Sequence, residues 1–210
     1  GYDGVELDIW LTKDKKLVVH HDGKANNITF QNANLSDLSG IKLSNGESLP
    51  TFDDFIAAFK AKTSDSPTKL IIEIKSHSTE ALTKEAAEYA MNAVQQAGIS
   101  DKVEYIAFNY ATCCHMSEKQ PDAIVGYLNG DKAPRIVQQA GIKSIDYKMT
   151  VYAANPTWLC EALDCGLKVN VWTVNSAGEM LKYIGQGADY ITTDDPAGLK
   201  QLVSKTFISK

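Results

Sequence analysis

No stretch of this 210-residue chain approaches the ~18 consecutive apolar residues of a membrane-spanning helix. The four cysteines contain no Cys-x-x-Cys spacing, which removes the common zinc and dithiol-redox motifs. Cys113 and Cys114 are adjacent, Cys160 and Cys165 flank a helix end, and all four read as free, mostly buried thiols. No Gly-x-Gly-x-x-Gly follows any strand-like run, so a dinucleotide-binding sheet has no fingerprint here. Positive charge is also scarce: 21 lysines and arginines against 26 acids leave a net charge of -5, and Arg135 is the only arginine. That balance argues against nucleic acid or an anionic membrane as the main partner. It leaves an anionic small molecule open, because a bound divalent cation reverses the local field.

What is present is an ordinary globular composition, 44% hydrophobic and 22% charged, which excludes disorder as the dominant state and suits one domain with a large core. The chain opens at Gly1, without methionine and on the approach to a strand. It is therefore expected to be N-terminally incomplete, which leaves the compartment (cytoplasmic, periplasmic or secreted) open. No element is apolar all round, so oligomeric state is open too.

The most informative stretch is Gly4-Val5-Glu6-Leu7-Asp8-Ile9-Trp10-Leu11. Val5, Leu7, Ile9 and Leu11 alternate with Glu6, Asp8 and Trp10, the period of a strand, so Glu6 and Asp8 project to one side, one pleat apart. Two carboxylates fixed on a half-buried strand are costly unless a cation or a basic side chain neutralises them. A turn at 13–16 leads to a second apolar run ending at His20-His21-Asp22, a titratable group beside a candidate metal half-site. On a regular strand His20 and His21 point to opposite faces. Glu73 and Lys75, two residues apart in Ile71-Ile72-Glu73-Ile74-Lys75, share a face as well. A plain Glu73–Lys75 salt bridge is the simplest account of that pair taken alone.

Further on, strand-like and helix-like runs alternate. Strands are expected at 69–75, 103–109, 123–128, 144–148, 168–174 and 190–193. Helices are expected from Thr51 as N-cap, and at 79–97, 110–119, 133–140, 157–164, 176–184 and 196–204. Gly98, Gly141, Gly166 and Gly187 follow helices, where a left-handed cap is wanted. The polar segment 23–34 reads as loop. About seven strands, nearly all followed by helices, imply an α/β protein with a parallel sheet.

The pattern Gly-x-Asp-Gly-Val-Glu-x-Asp-x-x-Leu-Thr-x-Asp followed by Val-Val-x-His-Asp resembles the glycerophosphodiester phosphodiesterase family. The likeness continues in order through Leu49-Pro50-Thr51-Phe52-Asp53-Asp54, Ile71–Lys75, Val171-Trp172-Thr173-Val174-Asn175 and Ala188–Pro196, covering nearly the whole chain. It implies a TIM (β/α)8-type barrel whose first strand and helix are missing from this sequence. It also implies hydrolysis of glycerophosphodiesters to an alcohol and sn-glycerol 3-phosphate.

In such barrels functional groups gather at the C-terminal ends of the strands. By resemblance, Glu6, Asp8 and Glu73 would hold one divalent cation, Ca²⁺ or Mg²⁺, since the donors are all hard oxygens. An acid-rich strand paired with lysines is the competing account. His21 would act as general acid, and Lys75 would neutralise a phosphate oxygen. Phe108 and Trp172 would form an apolar wall beside the glycerol moiety, with Ala107 where the family often has serine. His77 lies near the same rim and is a weaker substrate contact. The family's His-Arg-Gly and Glu-Asn-Thr segments, source of its base, have no counterpart in this chain. A non-catalytic barrel that binds a cation and a phosphodiester is thus the alternative. Cleavage of a membrane phospholipid is disfavoured, because segments 23–34 and 130–134 are polar rather than apolar.

Overall fold

The structure is a computed structural model that describes residues 2–208. The chain divides into two compact units, Asp3–Ala123 and Ile124–Lys210.

The first unit contains strands β1 (Gly4–Leu11), β2 (Leu17–Val19), β3 (Lys24–Ala25), β4 (Ile28–Thr29), β5 (Lys69–Ile74) and β6 (Val103–Ala107), with helices α1 (Phe52–Thr63), α2 (Glu80–Ala97) and α3 (Tyr110–Lys119). Its main sheet runs in the order β2-β1-β5-β6; β1, β5 and β6 are parallel and β2 is antiparallel to β1. The alternation seen in the sequence separates two faces. Leu7, Ile9 and Leu11 of β1 and Leu70, Ile72 and Ile74 of β5 are buried, and α2 packs on β5 and on both α1 and α3. The other face carries Glu6, Asp8, Glu73 and Lys75. The helices start where a side chain supplies the missing acceptor: Thr51 receives Asp54 N–H, Thr79 receives Leu82 N–H and Asn109 receives Thr112 N–H. Each such cap contributes about 1 kcal/mol.

The expected loop at 23–34 is a small antiparallel hairpin, β3 with β4, followed by a 3₁₀ turn at Phe30–Asn32. Asn26 and Asn27 take φ of 48° and 64°, the left-handed pair that a two-residue hairpin turn requires and that asparagine tolerates best after glycine. Phe30, Ala33, Leu38 and Ile41 from this region bury themselves with Val18, and Trp10 packs against the cluster. A polar segment thus carries its own satellite core.

The second unit contains β7 (Ile124–Tyr127), β8 (Ser144–Lys148), β9 (Lys168–Trp172) and β10 (Tyr190–Ile191), all parallel in that order, with α4 (Pro134–Gln139), α5 (Met149–Ala154), α6 (Trp158–Asp164), α7 (Ala177–Gln186) and α8 (Pro196–Ile208). The short α5 has no counterpart among the expected helices; six residues give too few turns for a helical period to stand out. Gly98, Gly141, Gly166 and Gly187 all take positive φ, as expected. The four cysteines are free, but only Cys113 is buried and Cys160 is exposed. On α6 it is Leu159 and Ala162 that face inward, which turns Cys160 out.

Candidate active site

Parallel register brings the acids together. Asp8 pairs with Glu73 across β1 and β5, and Glu6 pairs with Ile71 one pleat back. Paired residues of adjacent strands share a face, so Glu6, Asp8 and Glu73 converge, and one carboxylate oxygen of each lies within 4.8 Å of the others. Lys75 follows β5 on the same face. Its Nζ is 3.2 Å from Asp8 Oδ1 and 2.9 Å from Glu73 Oε1. The side chains of Asp8, Glu73 and Lys75 keep 13%, 11% and 15% of their exposure, so these charges face one another with little water between them.

The electrostatics are unbalanced. Burial pushes the Glu73 carboxyl above the usual carboxylate range, and Asp8 adds to this; Lys75 opposes it without overcoming it. For Lys75 itself burial works the other way, but the two carboxylates outweigh it and hold the ammonium above its ordinary pKa. The partners agree physically. One ammonium is amply satisfied by two acids, whereas one acid crowded by another is not satisfied by a shared lysine. The grouping of three carboxylates and the all-oxygen donor set fit a hard divalent cation. The lysine-paired account describes the Asp8–Lys75–Glu73 contacts, and the convergence of a third carboxylate on the same face is what points to a cation.

The two histidines after β2 separate in a way a regular strand does not predict. His20 N–H donates to Asp8 O at 3.0 Å, which extends the β1–β2 register by one residue and sets His20 level with Asp8. Its ring packs edge-on against Phe30 at 5.4 Å. By register His20 rather than His21 shares the pleat of Asp8, contrary to the expectation for a regular strand ending at His21. The chain bends at 21–23, so His21 lies beyond the strand. Its side chain is 79% exposed, with Nδ1 3.1 Å from Asp22 Oδ1. With Nδ1–H directed to that carboxylate, Nε2 is the nitrogen left for proton exchange.

His77 ties two strands together at the rim where the cleft opens. Leu11 N–H donates to its Nε2 at 2.9 Å, which places the proton on Nδ1 and directs it to Lys75 O at 2.8 Å. Both ring nitrogens are used on backbone, and the imidazole pins the end of β1 to the end of β5. The ring also lies 5.0 Å from that of Trp10. A cleft of roughly 620 Å³ opens here, with Trp10, Asp22, Gly23, Lys24, Gln31 and Ser78 in its wall. The sequence signal for it was weak, since Gly23, Lys24 and Gln31 come from the polar segment read as loop.

Of the two aromatic residues expected at the rim, Phe108 directly follows β6 and is 37% exposed. Trp172 ends β9 in the second unit. Its Nε1–H donates to Asp146 O at 2.9 Å, and Lys148 Nζ lies 5.8 Å from its ring centre.

Comparison with known proteins bears on this arrangement. The model of the glycerophosphoryl diester phosphodiesterase family matches residues 1–198. A glycerophosphodiester phosphodiesterase from Caldanaerobacter subterraneus subsp. tengcongensis is 28% identical over 227 residues, covering 98% of this chain and 87% of that protein. The crystal structure of a glycerophosphodiester phosphodiesterase from Parabacteroides distasonis is 33% identical, with a TM-score of 0.92 over 97% of this chain and 85% of that one. An Oleispira antarctica phosphodiesterase, solved in complex with the product sn-glycerol-3-phosphate, shares the fold at a TM-score of 0.80 and 18% identity, covering 97% of this chain and 86% of that one. A match over almost the whole length, on a chain whose parallel strands carry clustered acids on one face, is decisive: this chain belongs to the glycerophosphoryl diester phosphodiesterase family and has its TIM-barrel fold.

Proposed function

We propose that this chain hydrolyses glycerophosphodiesters to an alcohol and sn-glycerol 3-phosphate, using one divalent cation, Ca²⁺ or Mg²⁺, held by Glu6, Asp8 and Glu73. The observation that carries the proposal is the convergence of those three carboxylates, within 4.8 Å, in a chain of this family. A cation bound there supplies positive charge against the negative charge that develops on the phosphate oxygens.

The remaining steps belong to side chains. Lys75 Nζ, fixed by Asp8 and Glu73, offsets charge on a phosphate oxygen and cannot swing away without leaving both acids unpaired. As water or the neighbouring glycerol hydroxyl bonds to phosphorus, losing its proton to a base, the bond to the departing alcohol breaks. His21, oriented through Nδ1 by Asp22, gives the Nε2 proton to the leaving alkoxide. Phe108, which directly follows β6 and is partly exposed, provides apolar surface for the carbon skeleton of the glycerol moiety.

The test is release of glycerol phosphate from glycerophosphodiesters by the protein expressed from its complete reading frame, first in EDTA and then with Ca²⁺ or Mg²⁺. Activity should require metal, and His21→Ala and Glu73→Ala should each lower kcat by about 100-fold or more. Retained cation binding with no turnover under any metal would instead favour a non-catalytic phosphodiester-binding barrel.

A further inference from the structure

We infer that the cleft beside Trp10 receives the departing alcohol of the diester, and that its lining selects a polyhydroxylated alcohol over a quaternary ammonium one. The inference rests on the hydrolase reading above and adds which alcohol leaves.

Position comes first. The alcohol oxygen that leaves must lie at the group that protonates it, and the carbon skeleton behind it must extend away from phosphorus. The cleft begins where the proposed site ends on three separate segments. Trp10 is one pleat beyond Asp8, Asp22 and Gly23 follow His21, and Ser76–Ser78 follow Lys75. Asp22 belongs to both, since the residue whose carboxylate orients His21 also lines the cleft. A group bonded to the oxygen at His21 therefore has this space beside it. Roughly 620 Å³ is ample for a six-carbon polyol.

The lining decides the class. Lys24, Gln31, Thr29, Ser76 and Ser78 bring an ammonium, an amide and three hydroxyls, a mixture of donors and acceptors that suits several hydroxyl groups at once. Gln31 is held for this purpose: its Oε1 accepts Ser78 N–H at 3.0 Å across 47 residues of chain, which turns its NH₂ the other way. A trimethylammonium group has no proton to donate and is held by several aromatic faces or by unshared carboxylates. Here the wall offers one indole and the His77 imidazole, whose two nitrogens are both spent on backbone, and the acid is engaged with His21. Lys24 adds a like charge. Sites built to bond hydroxyls discriminate strongly against partners that lack them, because their own polar groups would be left unpaired.

The experiment compares kcat/KM for glycerophosphoinositol, glycerophosphoglycerol and glycerophosphocholine, and follows amide NMR shifts as myo-inositol or choline alone is added. The wild-type protein should favour the two polyol diesters by about tenfold or more, and that ratio should fall about fivefold in Lys24→Met and in Gln31→Leu. Inositol, not choline, should shift the amides of Gly23, Lys24 and Ser78. Lys24→Met covers the case in which Gln31→Leu loosens the hairpin. Equal turnover of all three diesters, or a ratio unchanged in both variants, would overturn the inference while hydrolysis stood. Inositol shifts in the cleft without turnover of any diester would sink the hydrolase reading and leave the cleft a polyol site. Neither turnover nor shifts would sink both.

Discussion

His77 illustrates how a histidine beside an active-site strand can be spent on structure. Its Nε2 satisfies Leu11 N–H and its Nδ1–H satisfies Lys75 O, so protonating Nε2 would break the first bond. Burial, acting in the same direction, holds its pKa below the ordinary 6.5. The sign follows. Between 6.5 and the lower folded value the unfolded chain binds more protons, so stability rises with pH there. The contribution is complete above 6.5 and is lost as pH falls through that window. Urea midpoints taken from about pH 7.5 down to about pH 5 should show this slope in the wild type and a shallower one in His77→Ala. The substitution should also cost about 1–3 kcal/mol, because Leu11 N–H is left without its acceptor. A ¹⁵N spectrum showing the proton on Nε2 would contradict the assignment. The sequence placed His77 near the rim but could not show this role, since both backbone partners are brought up by the pairing of β1 with β5.

Among the elements, the β3–β4 hairpin docks through a single small residue. Gly23 lies flat on the Trp10 ring, where an added Cβ would come 2.9 Å from Cη2 and 3.0 Å from Cζ2. The indole cannot yield easily, because His77 and the cluster of Val18 and Phe30 confine it. Gly23→Ala should therefore cost about 1–3 kcal/mol by urea unfolding and displace the hairpin that supplies Lys24. Wild-type stability in that variant would show that Trp10 has room to move. The hairpin was legible only in hindsight. Its two asparagines are a turn signal, but strands of two residues are too short to show a period. The parallel strands and the long helices were legible because Leu7, Ile9 and Leu11, or the capped run from Thr79, repeat their pattern over several turns or pleats.

At the level of the whole molecule, the convergence of Glu6, Asp8 and Glu73 should make stability depend on cations. Ca²⁺ or Mg²⁺ at about 100 times its Kd would add about 2.7 kcal/mol, a rise in Tm of about 5–10 °C for a chain of this size. In EDTA at neutral pH, Glu73→Gln should melt above the wild type, since it removes an acid that burial keeps above its usual pKa, and it should abolish the rise on adding metal. A metal-induced rise that survives in Glu73→Gln would place the cation elsewhere. The sequence by itself determined the α/β class, the faces of β1 and β5, and the identity of the acids, because a strand's period assigns each side chain to a face without reference to any other strand. Only the tertiary structure decided that Asp8 and Glu73 stand in register around Lys75, that His21 leaves the pleat while His20 packs on Phe30, and that a polar segment closes into a cleft over Trp10. Each of these depends on pairings between residues far apart in the chain, and period and composition carry no information about register.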